Sequence, residues 1–333
     1  MKSLMITKYG SLDSSLEIQD VSKPILDENQ ILIKTHAASF NPLDYKIVRG
    51  DFKSVRKIQF PVGIGRDVSG TVEEVGNNVK NFKIGDKVFS RIGENLVGTI
   101  SEYAVSHKDE VAAMPENLSF EESAGIPLAG LTAYQSLIDI AKLSADETVL
   151  IHAGSGGVGS IAVQLAKHLG AIVTATTSTK NVAMVKKLGA DKIIDYTDEN
   201  YFEHSEKFDV VFDTLGGSHT LDSFKVLKEG GRLVSIAGDL DEITAKQLGL
   251  NSFVRFILRM KASKITKAAK KKKAEYRFFL MSPNGKQLER LGELYKTQKI
   301  RPVNDSIYEF KDSVSAIEYL AKGRAKGKVI VKL

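Results

Sequence analysis

The residues best equipped for chemistry lie in one short run, Val149-Leu150-Ile151-His152-Ala153-Gly154-Ser155-Gly156-Gly157-Val158-Gly159-Ser160. Gly154, Gly156 and Gly159 follow G-x-G-x-x-G spacing, directly after an apolar strand-like segment and at the opening of a helical one. Glycines so spaced allow a tight turn and let the backbone of the loop, Ser155 and Gly156 included, approach a pyrophosphate. The helix that follows offers that anion free N–H groups and its positive dipole end. A site for NAD places Asp or Glu about 20 residues beyond the loop, on the ribose 2′-hydroxyl. Here no acidic residue occurs from Ser160 through Ala190, and the next strand-like segment ends Thr176-Thr177-Ser178-Thr179-Lys180-Asn181. Hydroxyls with a cation (Thr177, Ser178, Lys180) suit a 2′-phosphate, which a carboxylate would repel. That points to NADP(H); the plain alternative is a polar turn with a solvated lysine.

Such a loop needs strands and helices in alternation, and from about Thr148 to Gly238 the pattern supplies them. Strands are predicted at Val149–His152, Ala171–Ala175, Lys192–Asp195, Val210–Asp213 and Arg232–Ile236, with helices at Ser160–Leu169 and Val182–Leu188 between the first ones. Strand–helix alternation predicts an α/β fold with a doubly wound parallel sheet. Residues 1–115 read differently, as short apolar runs such as 31–36, 70–75 and 87–89, broken by Asn77-Asn78 and Ile84-Gly85-Asp86. Many short strands with glycine-rich corners predict a barrel-like β domain. Between the two regions Ser119-Phe120-Glu121-Glu122 fits a capping box that opens a helix. Two domains also match the length, 333 residues.

Composition removes several alternatives. At 42% hydrophobic and 26% charged residues the chain is of ordinary globular composition. No run of about 18 uncharged apolar residues occurs, which excludes a transmembrane helix by pattern. The first residues, Met1 to Lys8, lack a long apolar core and a small-residue cleavage site, so a cytoplasmic protein is expected. There is no cysteine, hence no disulfide, no thiolate nucleophile and no Cys-ligated metal. His36, His107, His152, His168, His204 and His219 show no metal-ligand spacing and read as surface or locally hydrogen-bonded histidines. No metal site is expected.

Several motifs, in order along nearly the whole chain, resemble one known family. Glu147 through Lys167, with Leu150, Gly154-Ser155-Gly156-Gly157, Gly159, Gln164 and Lys167, resembles the signature of the quinone oxidoreductase (zeta-crystallin) branch of the medium-chain dehydrogenase/reductase superfamily. Asn41-Pro42-Leu43-Asp44 is similar to its N-P-x-D motif. Similar stretches follow at Pro61–Gly70, Gly85–Val88, Leu188–Asp191, Phe208–Asp213 and Gly323–Val329. Within the branch the chain is most similar to NADPH-dependent alkenal/enone reductases. The resemblance implies a GroES-like β-barrel catalytic domain at residues 1–122 and 285–333 and a Rossmann domain at 123–284. Zinc-containing relatives carry a catalytic Cys where Asn41 stands and a His–Glu pair at Arg66-Asp67, so zinc-dependent alcohol chemistry is not expected.

By that resemblance, Gly157 and Val158 lie at the pyrophosphate, and Ser178, Lys180, Asn181 and Tyr196 surround the 2′-phosphate. Asn181 stands where many relatives have a basic residue. Leu215, Ala237 and Phe279 fall at the ribose and nicotinamide end; as isolated apolar residues all three would otherwise read as core, Leu215 above all. Lys46, beside cofactor and substrate, is the first candidate to hydrogen-bond the developing enolate or hydroquinone oxygen, with Tyr45 and Asn41 as further donors. The alternative is that Asp44, Tyr45 and Lys46 sit in a helical turn with structural contacts only, a reading that weighs equally for Tyr45. The expected activity is hydride transfer from NADPH to a quinone or an α,β-unsaturated carbonyl, with a small electrophile as partner and a homodimer as the family's common assembly.

One segment stands apart. Residues 255–277 hold ten Lys and Arg against Glu275, a net +9 in a chain of net +6, so the rest of the protein is mildly acidic. Phe253, Phe256, Ile257 and Met260 fall on one helical face beside it. The favoured expectation is a solvated flap beside the active site whose apolar face lines the pocket. The alternative is an NADPH-regulated RNA- or membrane-surface-binding protein with little turnover.

Overall fold

A computed structural model describes residues 1–53, 58–93 and 98–333. The chain divides into two units, Met1–Leu131 with Ser282–Leu333, and Thr132–Met281.

The second unit is built on the apolar runs. Val149, Leu150 and Ile151 are fully buried, as expected of a parallel strand covered on both faces, which shows no alternation. Six parallel strands lie in the order Lys192–Asp195, Ile172–Thr177, Thr148–Ile151, Phe208–Asp213, Leu227–Ser235 and Glu275–Phe278. That order, third-second-first-fourth-fifth-sixth, is the doubly wound one. Crossovers are made by the helices Gly157–His168, Val182–Lys187, Ser218–Val226 and Ser263–Lys271. Leu150, Phe208, Val211, Phe224, Leu233, Ile265 and Ala269 form a core on one face.

Two element starts and one added strand stand out against expectation. The first crossover helix starts at Gly157 rather than Ser160, because Gly156 in extended conformation serves as its N-cap. The fifth strand starts at Leu227 rather than Arg232; Lys228, Glu229 and Gly230 are exposed there, so burial gives no sign of it. A sixth strand, Glu275–Phe278, follows the basic segment and pairs with Arg232–Ser235.

In the first unit the long strand Gln30–Phe40 is the spine. It pairs with Asp67–Val75 along most of its length, with Tyr103–His107 at its start and with Lys328–Lys332 at its end. Lys87–Arg91, Val111–Ala113 and Asn304–Glu309 complete that sheet. A second sheet, Leu16–Asp20, Lys2–Ile6 and Val62–Gly63, is tied to the chain before the Tyr103 strand by Leu4 N–H to Ile100 O at 2.8 Å and Glu102 N–H to Lys2 O at 3.0 Å. Between these sheets Leu4, Ile6, Ala38, Phe40, Val48, Ile64, Ile317 and Val331 pack as one core. Ser119 and Glu122 form the expected capping box, opening the helix Phe120–Ala124.

Candidate functional site

The parallel sheet brings the candidate cofactor residues to one edge. Gly154 and Ser155 follow the first strand, Thr177 ends the second, and Tyr196 comes directly after the third. Leu215 lies two residues past the fourth, Ala237 two past the fifth, and Phe279 directly after the sixth. In parallel strands these are all carboxyl ends, where open α/β sheets hold their ligands.

The loop at the centre is shaped by its glycines. Ala153 takes a positive φ of 51°, held by its N–H on Thr176 Oγ1 at 3.0 Å and by Gly154 N–H on Thr176 O at 2.8 Å. A Cβ at Gly159 would stand 2.1 Å from Ala153 O, and one at Gly154 would stand 2.9 Å from Ala175 Cβ. Both positions therefore need glycine for the loop to close over the strand. The first intrahelical bond is Ser160 N–H to Gly156 O, 2.9 Å, so the N–H groups of Gly157, Val158 and Gly159 belong to the unbonded first turn. A pyrophosphate fits this cradle by charge and by hydrogen bonding.

At the end of the second strand a polar cluster forms around Ser155. Its hydroxyl accepts from Thr177 Oγ1 at 3.0 Å and from Asn181 Nδ2 at 3.1 Å, and Asn181 also reaches Ser178 Oγ at 3.3 Å. Asn181 Oδ1 is buried and has no partner. Lys180 is exposed, with no hydrogen bond or ion pair among the described residues, and Tyr196 is exposed beside Thr177, to whose carbonyl its N–H is bound at 3.0 Å. Thus Ser155, Thr177, Ser178, Lys180, Asn181 and Tyr196 share one corner. The carboxylate in register with Thr177, Asp195, turns into Thr197. Hydrogen bonds from Thr197 and Thr179 hold Asp195 below the ordinary carboxylate range.

Leu215 is 43% exposed, which overturns the core alternative for it: it sits on a loop beyond a strand end. Its N–H donates to Asp213 Oδ1 at 2.9 Å. Ala237 N–H reaches Ser235 Oγ at 3.3 Å, and Phe279 N–H reaches Ser235 O at 2.8 Å. All three therefore hang on a hub that the sequence did not reveal. Asp213, fully buried, accepts from His152 Nδ1 (3.2 Å) and Gly216 N–H (3.0 Å), and from the hydroxyls of Thr220 (2.6 Å) and Ser235 (2.8 Å). Burial alone would raise its pKa; the contact with His152 and the donors on Thr220 and Gly216 outweigh that and hold it below the usual range. His152 is consequently no surface histidine. It is fully buried with Nε2 unpartnered, and its Asp213 partner is 61 residues away in sequence.

In the first unit Asn41 starts the helix Pro42–Arg49, its N–H on Asp44 Oδ2 at 2.7 Å. Its side chain is not the free donor expected. Asn41 is buried, with Nδ2 on Asp67 Oδ2 at 2.9 Å and Oδ1 accepting from Lys328 Nζ at 2.5 Å. Lys328 also pairs with Asp67 at 3.1 Å, and Asp67 accepts from Ser39 Oγ at 2.9 Å and Leu128 N–H at 2.7 Å. Asp44, buried beneath the same turn, is pushed up to about 6 by burial, against the Asn41 hydrogen bond and the Arg66 charge. Tyr45 and Lys46 lie on this helix, half-buried. The Tyr45 ring rests on the core with the Arg49 guanidinium 5.0 Å from its centre. Neither the Tyr45 hydroxyl nor the Lys46 ammonium has a hydrogen-bond or ion-pair partner among the described residues. The donor set does not fit zinc: lysine and asparagine fill the buried turn, and among the described residues no three His, Cys, Asp or Glu side chains cluster as metal ligands.

Residues 27–116 match the alcohol dehydrogenase GroES-like domain, and residues 188–331 match the zinc-binding dehydrogenase family. The chain is 36% identical to a 2-methylene-furan-3-one reductase of Solanum lycopersicum, over 99% of this chain and 79% of that protein. It is 33% identical, over the same shares, to the chloroplastic NADPH-dependent alkenal/one oxidoreductase of Arabidopsis thaliana. A quinone oxidoreductase from Coxiella burnetii superposes with a TM-score of 0.84 at 35% identity, covering 100% of this chain and 99% of that one. The chain belongs to the medium-chain dehydrogenase/reductase superfamily, and its fold pairs a GroES-like domain with a Rossmann-type domain. Within that superfamily it falls in the zinc-independent branch of quinone and enone reductases.

Proposed function

We propose that the protein is an NADPH-dependent, zinc-independent reductase that delivers hydride to quinones or α,β-unsaturated carbonyls. The observation that carries this reading is the carboxyl edge of the parallel sheet. There a closed glycine loop presents unbonded N–H groups beside a hydroxyl-rich corner where, among the described residues, Lys180 has no ion-pair partner and Asp195 turns away into Thr197. When bound, NADPH supplies the hydride. Gly156, Gly157 and Val158 hold the pyrophosphate, and Ser178, Lys180, Asn181 and Tyr196 receive the 2′-phosphate; Thr177, expected among them, is fully buried and positions Ser155 through its hydroxyl. Leu215, Ala237 and Phe279 line the far end. Lys46, with an uncommitted ammonium, and Tyr45, with an uncommitted hydroxyl, are the donors for the oxygen on which charge develops. Asn41, locked to Asp67 and Lys328, keeps the start of their helix in place.

Stopped-flow oxidation of NADPH by a panel of quinones and conjugated enones tests the reading. Turnover is expected with at least one acceptor class, and Lys46→Ala should lower kcat/KM by on the order of 10²-fold, the scale of losing one donor to a developing oxyanion. Tight NADPH binding without turnover on any acceptor sinks it. We propose a homodimer, on the strength of the family resemblance, and cytoplasmic residence; sedimentation of the purified protein tests the first, and fractionation of the source cells the second.

A further inference from the structure

The basic segment folds as two short helices, Ser252–Lys261 and Ser263–Lys271, joined at Ala262. The second is anchored: Ile265 and Ala269 are buried in the core of the parallel-sheet unit. In the first no residue is buried. Its inner side, Leu258 with Ala262, lines a cavity of about 450 Å³ with Tyr276. The stripe that was expected to line a pocket faces the other way. Phe253 is 72% exposed, Phe256 51%, Ile257 49% and Met260 61%. At 100° per residue these four fall within about a third of the helix circumference, with Arg259 on one side of the stripe and Lys261 on the other.

The charges around that stripe are unevenly spent. Arg255 pairs with Glu242, Lys261 with Asp239, Lys273 with Glu229 and Arg277 with Asp241. Lys264, Lys267, Lys270 and Lys271 are exposed, with no hydrogen bond or ion pair among the described residues. An apolar stripe is costly to leave in water, and a neighbouring row of uncommitted lysines calls for an extended anionic surface. Nucleic acid satisfies the lysines but offers no apolar phase to four side chains of this size. An anionic bilayer satisfies both, since the apolar face of such a helix sinks to the headgroup–acyl boundary while the cations meet lipid phosphate and carboxylate. No described helix is long and apolar enough to cross a membrane, so the contact is a surface one. We propose that the helix Ser252–Lys261, together with Lys264, Lys267, Lys270 and Lys271, docks this protein on anionic phospholipid membranes.

The chain has no tryptophan, so Phe256→Trp places a single indole on the stripe. Titrating this full-length variant with phosphatidylcholine vesicles containing roughly a third phosphatidylserine is expected to shift its emission to the blue. Vesicles of phosphatidylcholine alone should bind at least ~10-fold more weakly. Neutralising the four lysines to Gln, and separately changing Phe253 and Ile257 to Ser, should each cut vesicle binding by ~10-fold or more. All these positions are exposed, so circular dichroism and gel-filtration elution should match the parent. The proposal is overturned if the indole emission does not move, if neutral vesicles bind equally well, or if the lysine variant still binds anionic vesicles as the parent does. Competition in which single-stranded RNA strips the protein from the vesicles, with no blue shift on either ligand, also overturns it, in favour of a nucleic-acid surface.

Discussion

Each unit buries carboxylates next to its own candidate residues, and the two units stabilise them in opposite ways. In the parallel-sheet unit Asp213 is surrounded by dipoles: two backbone N–H groups, two hydroxyls and an imidazole nitrogen point at its two oxygens. In the other unit Asp67 is matched by a full charge, Lys328, while its neighbour Asp44 receives one backbone N–H, from Asn41. The outcome follows the donors. Asp213 is held well below the ordinary carboxylate range, whereas Asp44 rises to about 6. Burial acts on both; enough converging donors reverse it and one does not.

Removing Asp213 strands four protein donors and a histidine in a dry interior, so Asp213→Ala should cost about 4 kcal/mol in urea unfolding. A loss under about 1 kcal/mol would show that the dipole cage matters little. Lys328→Met leaves Asp67 charged and unpaired and should cost about 3 kcal/mol, while the double variant with Asp67→Asn should recover most of it. If the double variant is no better than the single one, the pair is not the element that holds this hub.

Asp44 gives the comparison its pH signature. Its carboxyl titrates near 3.8 in the unfolded chain and at about 6 in the folded protein, so between those values the folded state holds a proton that the unfolded state has lost. Its contribution is fully present below about pH 4 and is lost as pH rises through 6, by about 3 kcal/mol. Asp213 acts with the opposite sign, stabilising above the ordinary carboxylate pKa and less so in acid. Urea midpoints of the parent and Asp44→Asn between pH 4 and 7.5 should differ in slope, with the variant flatter; parallel curves would remove Asp44 from the account. The smallest effect belongs to the exposed corner. Lys180→Ala should weaken NADPH binding about tenfold, or 1.4 kcal/mol, and leave NADH unchanged. Equal losses for both cofactors would mean that Lys180 does not read the 2′-phosphate.

The glycine loop and the strands around it were legible because they depend on local pattern: short apolar runs, glycines at fixed offsets, and no acid after the second strand. Boundaries were less so where local burial gives no sign, as at Lys228 to Gly230. The hubs were out of reach for a different reason. Lys328 and Asp67 are 261 residues apart and His152 and Asp213 are 61 apart, and only sheet register brings them together. Asn41 was legible as the first residue of an N-P-x-D motif, yet what occupies its side chain depends on Lys328. The stripe Phe253, Phe256, Ile257 and Met260 was visible as a stripe, but spacing does not say which way a helix turns.

Six strand ends, each with its own short loop, also have a consequence for redesign. Lys180 and Phe279 follow strands four positions apart in the sheet, roughly 19 Å at about 4.8 Å per strand. Changes separated by more than about 10 Å and sharing no partner usually add. Cofactor choice at the Lys180 corner and fit at the Phe279 end should therefore be adjustable one loop at a time, and their combined effect read as a sum.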